Sequence, residues 1–349
     1  MRIDLRSDTV TKPTEAMRKA MYEAEVGDIN MFEDPTVLKL EEMAAERLGK
    51  EAAILVTSGT QGNQVAILSQ TGRGDEIIVE ASSHIVMLEG AAHAVLAGVQ
   101  PRQVPGKRGV MNPDDVRAAI RPMIDPHYPK SAMICVENTH NFHGGVIVPN
   151  DNLAQLQEIA QEAGIRMHMD GARVFNAAVA SGLPVSEITK YVDTVQVCFT
   201  KGLGAPVGSI LAGDQETINT ARHWRKRLGG TMRQAGVVAA PMLISLTEMV
   251  DRLAEDHANA RLLAEGLANI EGVEINLDDI DTNMIYFSMK EDGPITARDL
   301  LIGCYHEGVM GGMMTPGQIR FVTHHEVTTD DIHKALEVIN RVAKSKVTA

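Results

Sequence analysis

The chain has 349 residues, 44% apolar and 23% charged, ordinary proportions for a folded protein with room for a large core and a smaller one. Its formal net charge of −13 repels phosphate backbones, which sets nucleic acid aside as a partner and argues against a basic helix on a membrane surface. Cys135, Cys198 and Cys304 are too scattered for a disulfide or metal framework, and no apolar run reaches membrane-spanning length, so a reducing cytoplasm is expected and no metal centre is.

The N-terminal segment MRIDLRSDTVTKP is polar and lacks the apolar stretch of a signal peptide. From about residue 50 to 230, short apolar runs alternate with helical stretches. The runs AAILVT, EIIVE, AMICVE, RMHMD and TVQVCFT read as strands buried on both faces, which indicates a mostly parallel α/β sheet covered by helices. Over 151–164, Leu153, Leu156, Ile159 and Ala160 repeat at helical spacing. Asn150 and Asp151 supply N-terminal cap chemistry and Gly164 a stop. One long helical stretch is expected near 234–269. Then come strand-like TNMIYFSM, a helix from Thr296, strand-like IRFVTH and a last helix over 328–344. This divides the chain into a large domain, 1–248, and a small α+β domain, 249–349, with the N-terminal segment packing partly on the small one.

Three places in this frame can carry chemistry. In LVTSGTQGN, a strand runs through Ser58-Gly59-Thr60 into a helix, where free N–H groups can bind a phosphate; the plainer reading is a turn. In RMHMDGAR, Asp170 ends a strand and faces the crevice where such sheets bind ligands; the plainer reading is a helix cap paired with Arg173. In FTKGLGAPVGS, Lys201 stands 201 − 170 = 31 residues later, one helix and one strand on, at the same sheet edge. Pyridoxal phosphate explains all three. The lysine forms its Schiff base, the aspartate keeps its ring nitrogen protonated, and the helix start holds its phosphate.

The motifs DLRSDTVTKPT, EDPTV, SGTQGN, ENTHN, DGARVFNAA, KGLGAPVGS and MRQAG then resemble, in order, the pyridoxal-phosphate-dependent L-threonine aldolases of the low-specificity and L-allo type. These belong to the aspartate-aminotransferase-like superfamily (fold type I), whose large domain has a seven-stranded, mostly parallel sheet. The resemblance implies that Ser7, Arg173 and Arg320 hold the substrate carboxylate. It implies that His84 stacks on the cofactor ring and that His127 lies near the substrate hydroxyl, either histidine being a candidate base. It also implies a homo-oligomer, a tetramer built from dimers with shared active sites. The expected activity is retro-aldol cleavage of L-threonine, L-allo-threonine and related β-hydroxy-α-amino acids to glycine and an aldehyde. Racemisation and β-elimination are the alternatives on the same scaffold. Three positions depart from the family pattern: Met31 replaces a tyrosine, Leu88 an aromatic, and Thr231 a glycine.

Overall fold

The computed structural model describes residues 2–122 and 125–345. Its main sheet has seven strands: β1 (Ala52–Val56), β2 (Glu76–Glu80), β3 (Gln100–Val104), β4 (Ser131–Glu137), β5 (Arg166–Asp170), β6 (Thr194–Cys198) and β7 (Ser209–Gly213). Their order is β1-β7-β6-β5-β4-β2-β3. Strands β2 to β6 are parallel, and β7 is antiparallel to both neighbours. The five strands read from apolar runs are all present. Two had no such signal. β3 carries Pro101 and polar residues, which an edge strand tolerates, and β7 is built largely of small residues.

Helix α1 (Gly59–Gln70) follows β1, and α2 (Asn150–Ala163) precedes β5. The four apolar positions of α2 named from their spacing are its buried ones, and Gly164 ends it in the left-handed conformation at φ 64°. The single helix expected near 234–269 is in fact broken. Gly236–Ile244 runs into a wide turn, Ser245–Met249, and α3 (Leu253–Ala268) starts after a non-helical turn. Pro241 lacks an N–H, and Ser245 and Thr247 hydroxyls bond back to the Pro241 and Leu243 carbonyls, which loosens the helix there.

A second sheet, ordered β8-β9-β11-β10, comprises β8 (Val273–Glu274), β9 (Met284–Met289), β10 (Gly312–Thr315) and β11 (Gln318–Val322). Ile3 and Leu5 join the apolar core beneath this sheet, and Ile3–Asp4 pairs in parallel with Val309–Met310. The N-terminal segment then crosses to the large sheet, where Thr11 Oγ1 donates to the Lys201 carbonyl (3.0 Å). It therefore ties the second sheet to the strand ends that matter below.

Candidate active site

Parallel register sets the last residues of β4 and β5 level with each other and with the middle of β6. Glu137 pairs with Asp170 across β4 and β5, and Asp170 with Gln196 across β5 and β6. Asp170 thus closes the middle strand, and Lys201 follows β6 in a turn fixed by Gly204 N–H donating to its carbonyl (2.9 Å). α1 begins beside them. Ser58 Oγ caps Gln61 N (3.1 Å) and leaves the Gly59 and Thr60 N–H groups outside that cap. A Cβ on Gly59 would sit 2.6 Å from Cys198 Sγ, so this glycine serves the close approach of α1 to β6.

Asp170 is 2% exposed. Its Oδ2 accepts from Asn63 Nδ2 (2.8 Å). Its Oδ1 accepts from Ala172 N (3.1 Å) and, with the Gln196 amide turned to satisfy its neighbours, from Gln196 (3.0 Å). All three donors are neutral. The cation partner imagined for Asp170, Arg173, is engaged elsewhere. Asn63 is held in turn by His168 Nε2 on its Oδ1 (3.1 Å), and His168 Nδ1 by Thr194 Oγ1 (2.9 Å). Burial pushes His168 down to about 4, so this imidazole is neutral.

Asn63 Nδ2 also donates to Glu89 Oε1 (2.8 Å), and Gln64 Nε2 to Glu89 Oε2 (2.7 Å). Glu89 then meets His84 Nδ1 at 3.0 Å. Burial lowers the His84 pKa, but the Glu89 hydrogen bond and the Asp170 charge outweigh it and leave the imidazole above its ordinary value. His84 starts a short helix after β2, and its backbone N–H donates to Glu137 Oε2 (2.6 Å). With Nδ1 committed to Glu89, Nε2 is the nitrogen His84 can offer to a ligand.

Arg173 is fully occupied on one edge: Nε and Nη2 donate to the two oxygens of Asp8 (2.7 and 2.6 Å). Both side chains are buried, and Asn283 Nδ2 adds a third donor to Asp8 (3.3 Å). Burial opposes ionisation of Asp8, yet Arg173 and Lys201 nearby hold its carboxyl well below the usual carboxylate range. Ser7 caps the short turn Asp8–Val10, accepting from Thr9 N (3.3 Å). Arg320 lies on β11, an interior strand of the second sheet, opposite Tyr286. Its Nη1 donates to Asn141 Oδ1 (3.3 Å) and its Nη2 to the Arg6 carbonyl (3.2 Å). Tyr286 Oη donates to the Asn141 carbonyl (3.0 Å), so the loop after β4 meets the second sheet here.

One expected residue is not brought to this place within a single chain. His127 has an 87% exposed side chain, paired with Asp125 (2.8 Å). Its loop leads into the amino end of β4, the far end of the strands; residues 123 and 124 of that loop lie outside the described part. Met31 (66%) and Leu88 (53%) are exposed as well. The residues missed from sequence are Asp8, Asn63, Glu89, Glu137, His168 and Tyr286. A signal existed for some: His168 and Glu137 are polar residues inside otherwise apolar strands, which need a buried partner.

Comparison with known proteins fits this geometry. A family model described as "Beta-eliminating lyase" matches residues 4–290. The chain belongs to that family. Among its relatives, low-specificity L-threonine aldolase 1 of Arabidopsis thaliana is 43% identical over 96% of this chain and 94% of its own. The low specificity L-threonine aldolase of Escherichia coli K12 is 41% identical over 95% of this chain and 96% of its own. The solved structure of Leishmania major threonine aldolase superposes with a TM-score of 0.83, covering 98% of this chain and 99% of that one at 18% identity, a likeness of fold. The fold type I architecture and the family resemblance expected from the motifs both hold for this β-eliminating lyase family member.

Proposed function

We propose that the chain is a pyridoxal-phosphate-dependent carbon–carbon lyase that cleaves L-threonine, L-allo-threonine and related β-hydroxy-α-amino acids to glycine and an aldehyde. The observation that carries this reading is Asp170, a buried carboxylate bonded only by neutral donors, on the strand beside the one that leads to Lys201. A buried carboxylate without a hydrogen-bonded cation is costly, and a protonated ring nitrogen would repay it. The Gly59 and Thr60 N–H groups, which have no acceptor among the described residues, fit a phosphate at the start of α1. When bound, the cofactor supplies a sink for the electron pair released from the Cα–Cβ bond.

The chain's own residues do the rest. Lys201 would hold the cofactor through its Nζ and would yield that place to the substrate amine. Arg320, Ser7 and the part of Arg173 left outside its Asp8 fork orient the carboxylate. His84 covers the ring and handles the hydroxyl proton through Nε2. His127 can serve only if a neighbouring copy brings it over. Exposed Met31, Phe32, Met87, Leu88, Val95 and Leu96 support a homo-oligomer, a dimer at least, with the tetramer that the family resemblance implies. Sedimentation of a fully active monomer at high dilution would refute that. Buried free Cys135, Cys198 and Cys304 suit a cytoplasmic setting, and among the described residues no helix is long and apolar enough to cross a membrane; secretion of the native protein would contradict that setting.

The deciding experiment incubates the purified protein with L-allo-threonine and identifies the products. Acetaldehyde with glycine is expected. 2-Oxobutanoate with ammonia would make it a β-eliminating enzyme, and D-isomer alone a racemase.

A further inference from the structure

We propose that Glu80, His140 and His143 form a site for one divalent transition-metal ion of borderline softness, the class of Zn²⁺, Co²⁺ and Ni²⁺. Glu80 is the last residue of β2; His140 precedes and His143 ends the single turn Asn141–His143 that follows β4. One ligand atom from each of the three lies within 4.8 Å of the other two. His140 Nε2 is 3.0 Å from Glu80 Oε2, and His143 Nε2 is 3.9 Å from Glu80 Oε1. Ligands about 2.0–2.2 Å from a shared ion need only small rotations from these positions. Two imidazoles and one carboxylate are the donor set of borderline ions. Magnesium and calcium want oxygen alone.

The site is built rather than incidental. Glu80 and His140 are buried. The hairpin pairing Gly106–Lys107 with Val110–Met111 presses bare backbone on all three ligands. A Cβ on Gly106 would come 2.7 Å from Glu80 Cγ. One on Gly109 would come 2.5 Å from His140 Cγ and 2.9 Å from His143 Cδ2. Ser82 Oγ stands 2.9 Å from His143 Nε2 and 2.7 Å from Glu80 Oε2, ready to orient both. Glu137 Oε2, 3.9 Å from His140 Nε2, places a second buried carboxyl group beside it. The half-buried His143 also lines a cavity of about 370 Å³ with Phe142, Arg108 and Tyr286, which gives an ion its way in. Entry displaces the proton that now joins His140 to Glu80 and leaves it to solvent. The site is distinct from the cofactor pocket, yet Glu137 touches both, since it also accepts the His84 backbone N–H.

The test titrates chelator-treated holoenzyme with Co²⁺ and reads its ligand-field bands to the red of the cofactor band. One saturable equivalent per chain, displaced by Zn²⁺, is expected. His143→Ala and Glu80→Gln should each weaken it by at least about tenfold, while an unchanged cofactor band certifies the fold. His143→Gln, which keeps the side chain's bulk, stands in if His143→Ala does not fold. The proposal fails if no saturable band forms. It fails equally if the affinity is unchanged without His143, or if His84→Asn abolishes the band instead, which would move the ion to the His84–Glu89–Asp170 group.

Discussion

Asp170 and Glu89 are both buried carboxylates, yet their partners set them different tasks. Asp170 has only neutral donors, so Asp170→Asn preserves shape while removing the charge that would stabilise a protonated ring. The variant should still bind cofactor and lose more than about tenfold in turnover, about 1.4 kcal/mol of barrier; near-normal kcat would refute the assignment. Glu89 acts through His84 and is a positioning residue. Because it helps hold the His84 pKa up, the neutral imidazole forms only above its ordinary range, and kcat/KM should fall as pH drops through that raised value. Glu89→Gln should move this acid limb to lower pH. A profile that keeps its position while only the amplitude falls would mean a purely structural role. Met31 offers flexible apolar surface where the family resemblance implies a phenol, so wild type should turn over β-phenylserine at least as well as L-allo-threonine. Met31→Tyr should shift kcat/KM toward L-allo-threonine, and unchanged ratios would remove Met31 from the pocket.

At the scale of elements, the N-terminal segment is the strap of the site. It pairs with Val309–Met310, buries Leu5 in the second core, inserts Asp8 against Arg173 and rests on the Lys201 turn through Thr11. Asp8→Ala would leave the Arg173 guanidinium buried and unpaired, at a cost of about 3–5 kcal/mol. Chemical denaturation should show this loss, and a midpoint within experimental error of wild type would contradict the strap. α1 is the second such element. Its start supplies N–H groups at the strand ends, and its first turns carry Asn63 and Gln64 to Asp170 and Glu89.

At the scale of the molecule, pH tolerance follows from histidines of opposite sign. His168, His257 and His325 are each pushed down to about 4 by burial. The unfolded chain protonates them first, so the stability they confer is complete above about pH 6.5 and is lost as pH falls toward 4. His84 and His140 are raised, so their contribution is already complete below pH 6.5 and offsets nothing in that window. Tm should therefore fall between pH 6.5 and 4, with His168 alone accounting for up to about 3 kcal/mol. His168→Gln should flatten the slope; an unchanged slope would show that His168 is protonated in the folded state.

The sequence by itself determined the buried parallel strands, because a strand covered on both faces must be apolar throughout. It also determined the position of Asp170 and Lys201 at one sheet edge, because parallel strands joined by helices bring their carboxyl ends together. Tertiary structure alone decided the pairings. Arg173 stands three residues from Asp170, yet it binds Asp8, 165 residues away in the chain. Asn63, His168, Glu89 and His84 form one network only after α1 packs on the sheet. Buried polar groups must find partners somewhere, and spacing along the chain does not say which distant segment will supply them.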